Sequence, residues 1–139
     1  MAARSFVIVV DTTVWVDFLR GRGTRFDAHL AELIEAEAPI ALTDIIYAEV
    51  LQGVRDDAVH RELRAVLRAH PILRPRGLGT FDDAVTLYRT ARRRGLTIRR
   101  TVDCVIAATV LENGAELFHN DRDFETLARV SSLPIYRFI

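Results

Sequence analysis

The run Phe6-Val7-Ile8-Val9-Val10, ended by Asp11, constrains this chain more than any other segment. Its apolar residues follow one another without alternation, so both faces of the strand they form must be covered. A strand with one wet face would alternate apolar and polar residues instead. The segment therefore reads as a strand inside a parallel sheet. Parallel neighbours need crossover connections of a dozen or more residues, usually helical, and the rest of the sequence supplies them.

Apolar periodicity and capping residues predict helices over 12–20, 26–38, 43–53, 58–69, 80–95, 101–114 and 121–130, and strands over 39–42, 71–74, 116–119 and 135–139. Thr43 caps the third helix. The fourth turns Leu63, Val66 and Leu67 inward. Thr80 with Asp83 starts the fifth, which carries Ala84, Leu87, Tyr88 and Ala91 to the core. No two-residue hairpin signal, internal repeat or linker interrupts the alternation. The expectation is an α/β layer fold with a mostly parallel sheet, built as one domain over residues 1–139.

The composition agrees, since 139 residues that are 50% hydrophobic and 27% charged can bury a core without staples. Cys104 has no intrachain partner, and no Cys-x-x-Cys pair exists to hold zinc. A reducing, cytoplasmic setting is expected. The longest apolar runs, 6–10 and 105–111, fall short of the roughly 20 residues of a membrane span. Arg4 precedes too brief an apolar stretch for a signal peptide.

Charge is informative only by position. The nineteen basic residues, all arginine, balance nineteen acids, but Arg89, Arg92, Arg93, Arg94, Arg99 and Arg100 crowd into a stretch with no acid. The arginine fork matches phosphate, so Arg92, Arg93, Arg99 and Arg100 are candidate RNA contacts; a solvated helix face is the plainer alternative.

Ligands of open parallel sheets bind beyond the carboxyl ends of the strands, where strand order reverses. Asp11 follows the first strand there, and Asp121 follows the strand that begins at Glu116, with Asp123 two residues on. Each alone is explained equally well as a helix cap or first-turn acid. Asp103 is different. The helix it opens is apolar nearly all round, and Ile106, Ala107 and Val110 share its face, so its carboxylate lies along a buried surface. Glu49 stands at a core border between Ile45, Ile46 and Gly53, where an ordinary boundary glutamate would also fit.

Several half-buried carboxylates in one pocket repel, and a hard divalent cation such as Mg²⁺ or Mn²⁺ offsets that repulsion through oxygen ligands. His29, His60, His70 and His119 are scattered without zinc-ligand spacing and read as surface or boundary residues. An acid-ringed pocket of this kind suits phosphodiester hydrolysis.

Four segments together resemble the PIN-domain ribonucleases, and most of all the VapC toxins of toxin–antitoxin modules. They are the strand-Asp-Thr-Thr-x-Trp start at Asp11, the lone Glu49, Thr101-Val-Asp103-Cys-x-Ile-Ala-Ala, and Asn120-Asp121-Arg-Asp123-Phe124. The resemblance spans nearly the whole chain. It implies a PIN-like three-layer α/β/α sandwich and a Mg²⁺- or Mn²⁺-dependent endoribonuclease. It further implies a homodimer and inhibition by a cognate VapB-like antitoxin. Asp11, Glu49, Asp103 and Asp121 match the acidic positions, with Asp11 and Asp103 as direct metal ligands and Glu49 acting through water. Asp123 is a substitute for Asp121 at the metal, and Thr13 orients a ligand or water.

Trp15, Phe18, Leu19, Ile45, Tyr47 and Leu51 form either a groove for an antitoxin segment or ordinary core. An antitoxin can also inhibit by placing a cationic side chain among the carboxylates. Two other classes of function remain. One is a non-catalytic RNA-binding or regulatory module on the same scaffold. The other is a phosphoaspartyl protein, for which a receiver domain lacks its lysine and a phosphatase lacks Asp-x-Asp-x-Thr at Asp11.

Overall fold

The structure, a computed structural model, describes residues 6–139; Arg4 lies outside the described residues. Four strands, β1 (Ile8–Val10), β2 (Ile40–Thr43), β3 (Ile72–Leu73) and β4 (Glu116–Phe118), form one sheet in the order β3-β2-β1-β4. Every pairing is parallel. Seven helices among the described residues connect and cover it: α1 (Thr12–Leu19), α2 (Arg25–Glu35), α3 (Asp44–Gln52), α4 (Asp57–Arg68), α5 (Leu78–Arg93), α6 (Thr101–Glu112) and α7 (Arg122–Arg129). This is the PIN-like α/β architecture that the sequence predicts.

The chain steps outward from β1 to β2 and β3, then returns to lay β4 on the other side of β1. The order thus reverses between β1 and β4. Val10 pairs with Phe118, and the Asp11 amide donates to the Phe118 carbonyl at 2.9 Å, so the segments leaving these two strands start side by side. β1 and β2 are wholly buried, as an unalternating apolar run requires. α6 is buried continuously from Asp103 to Val110. None of the described helices is long and apolar enough to cross a membrane.

Several expectations need correction. β1 begins at Ile8, because both neighbouring strands begin opposite that residue; Phe6 is 41% exposed. The expected strand over 135–139 is reduced to one parallel bridge, Leu117 with Ile135. Beyond it Tyr136 and Phe138 turn into an aromatic cluster with Phe26, His29 and Phe118. Thr80 does not start α5. It lies in the first turn, and its hydroxyl donates to the Glu112 carboxylate at 2.8 Å, tying α5 to the end of α6. Val66 is exposed on the outer face of α4, while Tyr88 is exposed beside Arg92. His119, expected at the surface, is buried. Of the six apolar residues considered for a groove, Trp15 and Leu51 are core, Phe18, Ile45 and Tyr47 are half-buried against it, and Leu19 alone is exposed.

Candidate metal centre

Asp11 leaves the buried end of β1 as the N-cap of α1 and is 3% exposed. Its Oδ2 accepts from the Thr13 amide at 3.1 Å and from the Thr13 hydroxyl at 2.7 Å. The same hydroxyl oxygen accepts from the Asn120 amide at 2.9 Å. One threonine therefore clamps the two segments that leave β1 and β4, which fixes the Asp11 carboxylate at the point where strand order reverses.

Asp121 caps α7, its Oδ1 accepting from the Asp123 amide at 2.9 Å, and this cap turns Asp123 inward to a buried position. Asp103, in the first turn of α6, is 1% exposed. One carboxylate oxygen from each of Asp103, Asp121 and Asp123 lies within 4.8 Å of the others. Asp121 and Asp123, read as alternatives from sequence, thus arrive together. Asp11 stands beside this triad rather than within it. Glu49, half-buried on α3, accepts from the Thr12 hydroxyl at 2.8 Å. Asp11, Glu49 and Asp121 line one cleft of about 360 Å³ with Thr13, Asp17 and Arg100.

Burial pushes the Asp11 carboxyl up to about 6; the two Thr13 hydrogen bonds oppose the rise, and the charges of Asp103 and Glu49 add to it. Asp103 is also raised, by burial first, with Arg100 opposing and Asp121 and Asp123 adding. The cluster resists full ionisation unless positive charge enters it. An all-oxygen set of this kind can hold a hard cation.

Two arginines presently supply positive charge. Arg99 meets Asp123 at 2.9 Å and Asp121 at 3.1 Å, and Arg100 meets Asp103 at 2.7 Å and Glu49 at 3.0 Å. Arg99 and Arg100, read from sequence as RNA contacts, are thus directed at the acids. Arg92 and Arg93 stay exposed on the last turn of α5.

The sequence reading overlooked Asp17 and Asn120. Asp17 is 5% exposed and accepts from the Asn120 side chain at 3.1 Å and from Arg22 at 3.3 Å. It sits one helical turn beyond Thr13, and that i,i+4 spacing was the available signal. For Asn120, adjacency to Asp121 was the only one.

The PIN domain family model matches residues 8–130. This chain belongs to the PIN domain family. It is 35% identical over 133 residues, 95% of this chain and 99% of the relative, to VapC ribonuclease Mb1587 of Mycobacterium bovis and to ribonuclease VapC11 of Mycobacterium tuberculosis. Among solved structures, VapBC2 from Rickettsia felis bound to a promoter DNA fragment superposes with TM-score 0.73 at 18% identity, covering 96% of this chain and 100% of that one. VapBC-1 from nontypeable Haemophilus influenzae gives 0.72 at 19%, covering 94% and 97%. The PIN fold and the position of its acidic cleft thus agree with the reading from residues alone.

Proposed function

We propose that this PIN domain is a metal-dependent endoribonuclease, the toxin of a VapBC-type module acting in the cytoplasm, with Asp11, Glu49, Asp103, Asp121 and Asp123 at its active site. The observation that carries the reading is the Asp103-Asp121-Asp123 triad, placed with the raised Asp11 carboxyl where the strand order reverses. A ribonuclease is also what the 35%-identical relatives are named. Residues 1–139 are taken to work as one domain.

The donor set fits Mg²⁺ or Mn²⁺, because three oxygens within 4.8 Å can be met by one small ion and no histidine or thiol joins the cluster among the described residues. When bound, such an ion lowers the pKa of water and offsets charge on the reacting phosphate. The chain's own residues then have separate tasks. Asp103 and the Asp121-Asp123 pair hold the ion, with Asp11 completing the set from β1. Thr13 fixes the Asp11 oxygen and keeps the β1 and β4 loops in register. Glu49, held by Thr12, orients water at the cleft's edge. Arg99 and Arg100, released from the acids, become available to the RNA phosphates, with Arg92 and Arg93 further along the strand.

Partners follow the same reading. A VapB-like antitoxin is assigned to the apolar groove of about 440 Å³ between α1, α3 and α4, where Val16, Leu19, Val50, Val54 and Val66 lead to Glu49. The solved neighbours named VapBC favour that kind of partner. The homodimer is placed on α5, whose exposed Leu78, Phe81, Val85 and Tyr88 form one stripe.

The purified protein should cleave a mixed RNA pool with Mg²⁺ or Mn²⁺, lose cleavage with EDTA, and lose it in Asp103→Asn. RNA that binds but stays intact with either metal would make the protein a binding module instead.

A further inference from the structure

A second pocket, of about 200 Å³, lies behind the acidic cleft, and the two share the wall made by Asn120 and Asp121. Its chemistry is the reverse of the cleft's, since Arg25, Arg122 and Arg137 line it along with Tyr136 and Phe138.

These arginines are not equivalent. Arg137 is neutralised by Glu125, which it meets at 2.6 and 2.9 Å. Arg122, exposed at the start of α7 and next in sequence to Asp121, makes no ion pair among the described residues. The Arg25 guanidinium lies over the rings of Phe26 and Phe138, 4.9 Å from each centroid, and His29 stacks on Phe138 at 4.3 Å. A guanidinium fixed on aromatic rings offers both a charge and a flat surface on which a base can stack. At the floor, His119 Nδ1 accepts from the Asp121 amide at 3.0 Å, so the pocket is anchored to the loop that carries the triad.

We infer that this pocket is a subsite for single-stranded RNA, taking the nucleotide that adjoins the cleaved bond. The base lies on the Arg25-Phe138 stack and the neighbouring phosphate meets Arg122. The inference rests on the ribonuclease reading for the placement of the bond, and on the pocket's own chemistry for RNA as the ligand. It accounts for how a strand of negative charge is held beside five carboxylates. Unpaired arginine and an aromatic surface stand one wall away from them.

The test compares the wild type with Arg25→Ala/Arg122→Ala, and with Arg25→Lys, on one single-stranded RNA oligonucleotide. Both arginines are exposed, so the variants should fold. In the double variant KM should rise about tenfold with kcat little changed. The slope of log kcat/KM against log salt should fall by about 1.4, roughly 0.7 for each lost phosphate contact. Arg25→Lys should keep the slope and still raise KM, because the charge survives and the plane does not. Wild-type KM and slope in the double variant would overturn the inference, as would a loss confined to kcat.

Binding of the same RNA, read by fluorescence anisotropy with Ca²⁺ in place of Mg²⁺, separates the two readings. If the wild type fails to cleave, the ribonuclease reading falls, while weaker binding by the double variant still supports an RNA subsite. Equal affinity of the two proteins, or no RNA binding by either, overturns the subsite.

Discussion

The cleft and the pocket behind it face each other across Asn120 and Asp121, yet they are built on opposite terms. In the cleft Asp11, Asp103 and Asp123 are each less than 5% exposed, and burial works against their charge. In the pocket Arg25 and Arg122 are open to water, where a charge costs little. The difference teaches how the work is divided. Groups that must hold an ion rigidly are set in the core and make the metal-free fold less stable. Groups that need only attract a strand stay at the surface.

Substitutions should sort along that division. The largest effect belongs to Asp103→Asn and Asp11→Asn, each expected to lower kcat about a thousandfold or more while leaving the fold intact, because each removes charge directed at the reacting centre. Single-turnover cleavage with saturating Mg²⁺ checks this. Near-wild-type rates in either variant would erase the distinction between the two regions.

The same Asp11 variant should gain stability. Asp11 has a folded pKa of about 6 against an ordinary 3.8, so folding takes up a proton between these values. Any advantage of the protonated carboxyl is fully present below about pH 4 and is lost as pH rises through about 6. At 1.36 kcal/mol per pH unit the ionised group opposes folding by about 3 kcal/mol at pH 8. Denaturant melts in EDTA should therefore show Asp11→Asn more stable than wild type at pH 8, with the gap closing near pH 4. Asparagine keeps the helix cap. A gap independent of pH would remove the electrostatic argument.

Smaller effects sharpen the contrast. Thr13→Val removes the clamp between the two strand ends without removing an acid, so kcat should fall roughly ten- to hundredfold, the range for groups that orient ligands. Weaker Mn²⁺ binding by calorimetry should accompany it. Last, Arg92→Gln/Arg93→Gln should raise KM only about twofold at physiological salt, because exposed charges far from the bond are screened. A shift as large as that of the Arg25 and Arg122 pair would move the main RNA contact to the end of α5.

How much of this was legible in the sequence depends on whether a residue's role is local. Phe6 to Val10 announced a central parallel strand because a strand covered on both faces has no wet positions to alternate, although pairing trims it to Ile8–Val10. Asp103 declared itself as an acid on a helix apolar all round. Thr43 caps α3 as its residue type suggests. What stayed hidden depends on partners distant in the chain. Thr80 looks like a helix start until Glu112 is seen beside it. Arg99 and Arg100 look like free cations until the acids of α7, α6 and α3 are folded against them. Tyr136 and Phe138 alternate like a strand, yet they serve a ring cluster with α2. The pocket behind the cleft joins α2, the α7 start and the chain's last residues, and no local pattern brings these together.

The central claim is that carboxylates from β1, α6 and α7 share one divalent ion. Anomalous diffraction from crystals soaked in Mn²⁺ tests it most directly. The account predicts a peak in the cleft about 2.1 Å from a carboxylate oxygen of Asp103 and from one of Asp121 or Asp123, near the distance usual for Mg²⁺. An empty cleft, or manganese bound only to carboxylates on the outer helices, would contradict it.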